Sequence, residues 1–209
     1  MSDYIPPSGL RIGDPAPDFT ARSTAGPVRL ADFRQSWLIL FSHPADFTPV
    51  CTTEFVALAR QAEEFAQRDC ALMAVSIDSL FSHFAWLRMI RDRTGVEVRF
   101  PIIEDPTMVI ARAYGMVGAE DADSGAVRTT FFIDPAGTIR AMNSYPANVG
   151  RSIPEMLRTL DALQAAGEKQ LAPANWQPGD ALLDPVAVSL DDVFGSDDPT
   201  DWFLKGGAQ

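Results

Sequence analysis

The sequence predicts a mixed α/β sandwich: a sheet flanked by helices, followed by a small C-terminal extension. Three observations predict it. Short apolar runs alternate with segments of helical period, a hairpin signal and a capped helix close the pattern, and the composition changes after Gly167. Trp37–Ser42 reads as a buried strand. Residues 50–68 then carry apolar side chains at 55, 58, 59, 62, 65 and 66, the spacing of one helix face. Residues 70–77 form a second apolar strand. Residues 79–91 form a second helix with Phe81, Phe84, Leu87 and Ile90 on its apolar face, and 100–103 a short edge strand. Asp105-Pro106 combines an N-cap residue with a proline at the first helical position, which predicts a helix through Tyr114. An acidic loop follows. Residues 129–134 and 138–145 flank Pro135-Ala136-Gly137 as a hairpin, and Ser152-Ile153-Pro154-Glu155 is a capping box opening a helix to about Ala166. The domain boundary is therefore expected at 166/167, because the 42 residues after Gly167 hold eight acids and two bases.

Composition narrows the function. Over 209 residues, 46% are hydrophobic and 22% charged, enough apolar side chain for a full core. The longest apolar runs are about five residues against about 18 or more for a bilayer span, so no membrane partner is expected. Residues 1–17 contain no apolar h-region, which predicts a cytoplasmic protein. A net charge of −11 repels a phosphate backbone and excludes nucleic acid as a partner. The basic residues are 15 Arg and two Lys, a bias suited to local guanidinium sites. Two cysteines, Cys51 and Cys70, are too few for a disulfide scaffold and have no C-x-x-C spacing, which leaves room for one catalytic thiol.

The chemistry is concentrated in His43-Pro-Ala-Asp-Phe-Thr48-Pro-Val-Cys51-Thr-Thr-Glu54, between the first strand and the first long helix. With Thr48 as N-cap and Pro49 at N1, Cys51 falls in the first turn. There the unpaired backbone N–H groups and the positive end of the helix dipole favour an anion. An unperturbed cysteine, with a pKa of about 8.5, is only a few per cent ionised at pH 7, and a helix N-terminus beside a cation lowers that value. Pro44 and Pro49 stiffen the loop, and the Thr48 hydroxyl is expected both to accept from a backbone N–H and to donate to an oxygen beside the thiol.

Pro44-x-x-x-Thr48-x-x-Cys51 resembles the active-site motif of the peroxiredoxins, thiol peroxidases with a thioredoxin-like mixed sheet flanked by helices. The longer string Phe41 to Glu54, the strand end Val75-Ser76-Ile77-Asp78-Ser79, and Pro173 with Trp176 resemble the one-cysteine subfamily with a C-terminal extension. The resemblance implies that Cys51 is the peroxidatic cysteine, oxidised by peroxide to a sulfenic acid. It implies that Thr48 hydrogen-bonds the peroxide, Pro44 shields the sulfur, and Arg128 holds the thiolate and polarises the O–O bond with a permanent planar charge. Glu54 would orient that arginine, Arg151 would be a second arginine near the pocket, and His43 would flank it. The family further implies an external thiol reductant, a homodimer or higher homo-oligomer with residues 167–209 as the arm, and no cofactor or metal. The alternatives are a peroxide sensor oxidised at the same cysteine and a binding module without thiol chemistry.

Other residues read as structural. His83, among Phe84, Trp86 and Leu87, reads as packing. Cys70, at a helix-strand junction about 30 Å along the helix from Cys51, reads as a small hydrophobe unable to resolve Cys51 within the chain. Some one-cysteine members are reported to carry a phospholipase site of Gly-x-Ser-x-Gly type. The matching stretch here is Arg34-Gln35-Ser36-Trp37-Leu38, with Ala31 in place of the histidine, so that activity is not expected. Asp121, Asp123 and Gly125 resemble a calcium loop, but Phe132 stands where a bidentate Glu is needed and the stretch reads as a solvated turn. Two cysteines and two distant histidines give no zinc pattern.

Overall fold

The computed structural model describes residues 9–117, 127–167, 169–186, 188–195, 197–201 and 203–206; the acidic loop with Asp121, Asp123 and Gly125 lies outside them. The chain divides into two compact units, Met1–Ile153 and Pro154–Gln209.

The first unit is built on one seven-stranded mixed sheet. Its strands are β1 (Thr20–Ser23), β2 (Gly26–Arg29), β3 (Trp37–Ser42), β4 (Cys70–Ser76), β5 (Ile102–Glu104), β6 (Arg128–Ile133) and β7 (Ile139–Tyr145), in the order β2-β1-β5-β4-β3-β6-β7. β3 lies inside the sheet, parallel to β4 and antiparallel to β6. The apolar runs at β3, β4 and β6 reflect burial on both faces, and all six β6 residues are buried. The expected edge strand at 100–103 is corrected: β5 pairs with β4 on one side and β1 on the other. The covering hairpin β1/β2 was not evident in the sequence, because two four-residue strands containing Pro27 carry almost no alternating pattern. At the β6/β7 turn, Gly137 takes a positive φ of 82° and donates its N–H to Asp134 O at 2.7 Å, as the hairpin signal requires.

The helices of this unit also depart from the simplest reading. The segment read as one helix is broken at Gln61 into α1 (Pro49–Arg60) and α2 (Ala62–Ala66). The third helix, α3 (Leu80–Thr94), is capped by the Ser79 side chain and ended by left-handed Gly95. Its buried face is Leu80, His83, Trp86 and Ile90, while Phe81 and Phe84 are 76% and 47% exposed. The expected face was drawn through the aromatic residues, and burial instead follows a histidine that finds a polar partner. The helix expected from Asp105 is reduced to α4 (Val109–Ala113), because Met108 takes a left-handed φ of 57°; Asp105 Oδ2 still caps it by accepting from Ala111 N at 2.7 Å.

Strand alternation separates two packing layers. Leu38, Leu40, Met73, Val75, Phe131 and Ile133 join the main hydrophobic cluster. Ile39, Phe41, Phe132 and Thr130 belong to the opposite set, where Phe41 meets Phe55 of α1 at 5.7 Å between ring centroids and Phe55 meets Trp86 of α3 at 4.6 Å. Arg128 and His43 continue that alternation on β6 and just beyond β3, so the sheet delivers both toward α1.

The second unit contains α5, whose helix begins at the boundary residue (Ile153–Ala165), and α6 (Leu190–Phe194), joined by irregular chain. Within this unit the Trp176 indole donates to Asp180 O at 3.0 Å and Arg158 donates to Trp176 O at 3.2 Å.

Leu40 is fully buried at the middle of β3. Leu40→Ala is expected to lower stability by about 2–5 kcal/mol, read as a shift of the urea midpoint at neutral pH. An unchanged midpoint would contradict its place in the core.

Candidate active site

The site begins where β3 ends. Residues 43–48 form a loop onto α1, with Thr48 as N-cap in extended conformation, Pro49 at the helix start and Cys51 in the first turn, as the motif required. Cys51 is fully buried. The Thr48 hydroxyl differs from expectation: it donates to Ala45 O at 2.8 Å and makes no cap bond. The loop curls so that the Ala45 carbonyl, three residues back, takes the hydroxyl proton, leaving the oxygen's lone pairs as acceptors.

Arg128 reaches the sulfur from β6. Its guanidinium nitrogen donates to Cys51 Sγ at 3.2 Å and to Glu54 Oε2 at 2.7 Å, while Nε and the other terminal nitrogen both donate to Ala147 O. Four of its five N–H donors are committed, so the planar group has one orientation. Glu54 lies one turn beyond Cys51 and also binds Arg151. Glu54 Oε1 accepts from the Arg151 backbone N–H at 2.7 Å and from Nε at 2.9 Å, and Oε2 accepts from a terminal nitrogen at 2.8 Å. The remaining terminal nitrogen of Arg151 donates to Ser42 O at 3.0 Å and to Thr130 Oγ1, and its guanidinium lies 4.8 Å over the Phe41 ring. Cys51, Glu54, Arg128 and Arg151 thus form one buried network. Burial works against the Glu54 charge, but the hydrogen bonds and charge of Arg151, with the charge of Arg128, hold its carboxyl below the usual carboxylate range.

Counting charges gives the chemical consequence. Two buried guanidinium groups face one carboxylate, so the network carries an excess positive charge that an anion at the Cys51 sulfur neutralises. Cys70 has the opposite surroundings. Apolar burial on β4 pushes its thiol up to about 12. It pairs with Trp37 at the start of β3, whereas Cys51 follows the end of that strand. The two sulfurs are therefore at opposite ends of the sheet.

His43 is fully buried, stacked on Trp86 at 5.4 Å and edge-on to Phe55 at 4.9 Å. Its Nε2 contacts Asp46 Oδ1 at 3.0 Å, and His83 Nδ1 contacts Asp46 Oδ2 at 2.8 Å. The reading of His83 as packing is thus corrected: it is a buried polar partner of the loop. Asp46 and Trp86, whose indole donates to Thr52 Oγ1 at 3.1 Å, were missed, because nothing local links Asp46 to His83 across 37 residues or Trp86 to Thr52 across 34. His43, Asp46 and His83 place three ligand-type atoms within 4.8 Å of one another. The outer nitrogens, His43 Nδ1 and His83 Nε2, have no partner among the described residues. A metal on the inner nitrogens would turn both outer ones into buried N–H donors without acceptors, whereas metal-bound histidines normally donate that proton. The cluster therefore fits a hydrogen-bonded carboxylate better than a metal.

Residues 12–142 match the model of the AhpC/TSA family. The chain is 46% identical over 202 residues to "Peroxiredoxin 2" of Caldanaerobacter subterraneus subsp. tengcongensis, covering 93% of this chain and 91% of that protein. Among solved structures it is similar to the yeast mitochondrial 1-Cys peroxiredoxin, with a TM-score of 0.83 and 39% identity over 95% of this chain and 99% of that one. It is also similar to Peroxiredoxin 6 of Arenicola marina, with a TM-score of 0.80 and 36% identity over 88% of each chain.

Glu54→Gln removes the carboxylate that joins two buried guanidinium groups and is expected to lower stability by about 3–5 kcal/mol, measured by urea unfolding at pH 7. The parent should also lose stability in acid. Glu54 and Asp46 both ionise more readily folded than unfolded, Asp46 at about 2, so their contribution is complete above the unfolded carboxylate range and is lost as pH falls through the folded values. Because burial also holds the His43 pKa below its ordinary value, the unfolded chain binds a proton there that the fold does not, so melting temperature should begin to fall as pH drops below about 6.5 and fall further below about pH 5; a rise on acidification would contradict the pairing.

Proposed function

The chain belongs to the AhpC/TSA family as a peroxiredoxin, a thiol-dependent peroxidase, and on that premise we propose that Cys51 is its peroxidatic thiol and Arg128 the group that activates the peroxide. The observation that carries the assignment is the 3.2 Å contact between Arg128 and Cys51 Sγ in the first turn of α1. The thiolate attacks the hydroxyl-bearing oxygen of a hydroperoxide. A sulfur–oxygen bond forms, the O–O bond breaks, and the departing oxygen leaves with the electron pair and is protonated to water or an alcohol. Cys51 is left as the sulfenic acid. Arg128 favours the thiolate and then stabilises charge on the departing oxygen from a fixed position. Thr48 Oγ1, its own proton engaged by Ala45, accepts the peroxide O–H, and Pro44 limits solvent at the sulfur. Glu54 and Arg151 hold Arg128 in place, and His43 supports the loop from beneath.

The reductant is an external thiol. One thiol condenses with the sulfenic acid, releasing water and forming a mixed disulfide, and a second thiol displaces Cys51 as the free thiol. Support comes from Cys70, whose burial and placement keep it from that role. The yeast mitochondrial 1-Cys peroxiredoxin has its thiol resolved via glutathione/thioredoxin systems, and a small thiol or dithiol protein of that kind suits this chain. We further place the protein in the cytoplasm; among the described residues no helix is long and apolar enough to cross a membrane.

Residues 167–209 are proposed as the arm of a homodimer or larger homo-oligomer. Val188, Phe194 and Leu190 are 93%, 77% and 69% exposed in the single chain, apolar surface that a second copy would cover.

Cys51→Ser is expected to abolish thiol-dependent peroxide consumption and Cys70→Ser to preserve most of it; activity that follows Cys70 would sink the assignment. Arg128→Lys keeps the charge but loses the fork, and should lower the second-order rate constant with peroxide by about a hundredfold. Stopped-flow rates equal to the parent would remove Arg128 from the mechanism. Truncation after Ala166 should shift the sedimenting species toward monomer at micromolar concentration, and an unchanged oligomer would exclude the arm.

A further inference from the structure

The cluster beneath the active-site loop is too specific to be ordinary packing. Asp46 is 7% exposed, and its two carboxylate oxygens are each taken by a different imidazole: Oδ1 by His43 Nε2 at 3.0 Å and Oδ2 by His83 Nδ1 at 2.8 Å. Both histidines are fully buried. An ionised carboxylate only accepts, so the facing nitrogen of each ring carries the proton. The backbone N–H of Asp46 donates to Asp78 Oδ2 at 2.9 Å, and Asp78 Oδ2 is also within 3.1 Å of Ser76 Oγ at the end of β4. One loop residue is thereby tied to its own strand exit, to α3 and to β4.

The next residue shows why such a tie is needed. Phe47 takes a left-handed φ of 58° with its side chain 54% exposed, a conformation that a bulky residue keeps only when its surroundings hold it. Thr48, the helix N-cap, follows at once, and Cys51 is three residues further. The loop's strained form is therefore what sets the hydroxyl and the first turn opposite Arg128.

We propose that Asp46 and His83 are positioning residues for the peroxide reaction, a buried imidazole–carboxylate–imidazole clamp that holds residues 43–48 in the form that places Thr48 and Cys51. This rests on Cys51 being the reacting thiol. Burial lowers the His43 pKa against the raising influence of Asp46, so the ring stays neutral and donates a single proton to the carboxylate. Besides Asp46, the titratable groups acting on that ring are His83 and Asp78. The clamp acts through geometry and not by proton transfer. Both imidazoles face Asp46, and among the described residues neither is bonded to Cys51 or Arg128.

The test compares His83→Leu, His83→Asn, Asp46→Ala and Cys51→Ser in the full-length protein, with peroxide rate constants from stopped flow and side-chain nitrogen NMR. The asparagine amide nitrogen occupies the place of His83 Nδ1 and restores a donor to Asp46; leucine fills the space without one. His83→Leu and Asp46→Ala should lose about tenfold to a hundredfold in the peroxide rate constant, and His83→Asn should stay within about twofold of the parent. In the parent, NMR should show His43 protonated at Nε2 and His83 at Nδ1. Asp46→Ala should release both rings into mixed tautomers. Should Asp46→Ala not fold, the leucine and asparagine pair decides alone. The proposal is overturned if His83→Leu keeps the parent rate, if His83→Asn falls as far as His83→Leu, or if the parent tautomers are reversed. Full activity in Cys51→Ser would instead overturn the assignment of the thiol on which the clamp depends.

Discussion

A single carboxylate governs the site. Glu54 accepts three hydrogen bonds from Arg151 and one from Arg128, and without it two guanidinium groups would be buried side by side with no fixed counter-charge. The elements around it follow from that need. β6 must end its ladder at Arg128 on the face turned toward α1, β7 must deliver the Ala147 carbonyl to the guanidinium, and the chain after β7 must return Arg151 to the end of β3, where Ser42 O is waiting. The desolvation of these charges is offset because nearly every donor is used, and the same completeness leaves Arg128 no freedom except toward the sulfur.

The two cysteines differ in environment and not in residue type. Both are buried. Cys51 sits on a helix N-terminus against a guanidinium, where an anion completes the charge balance. Cys70 sits at the start of a strand, where burial, aided by the Asp69 charge, outweighs a backbone hydrogen bond and favours the thiol form. The sheet separates them by the length of β3 and β4, which are parallel and in register from Trp37 and Cys70 onward.

The loop between β3 and α1 is held from two directions. On one side the Arg151 guanidinium binds the Ser42 carbonyl just before it; on the other, Asp46 engages α3 and the end of β4. Phe47 carries the backbone cost of joining these anchors in so few residues. Aromatic packing closes the space beneath, with His43, Phe55 and Trp86 in mutual contact, so the polar clamp is shielded from water and its hydrogen bonds are strengthened by the low local polarity.

The sequence by itself determined the features that act over a few residues. The strand Trp37–Ser42, the proline-started helix with Cys51 in its first turn, the hairpin around Gly137 and the final helix of the first pattern were legible because turn residues, caps and apolar period work locally. The motif around Cys51 supplied the chemistry, and the resemblance it carries named Arg128, Glu54 and Arg151 before any contact among them was visible. Tertiary structure alone decided how they meet. Glu54 finds Arg128 across 74 residues and Arg151 across 97, and Asp46 finds His83 across 37, separations over which no spacing rule operates. It also decided which face of α3 is buried. Hydrophobicity pointed to Phe81 and Phe84, but a buried face is chosen by the total of its contacts, and a histidine with a carboxylate partner proved a better inward residue than an unpartnered phenylalanine.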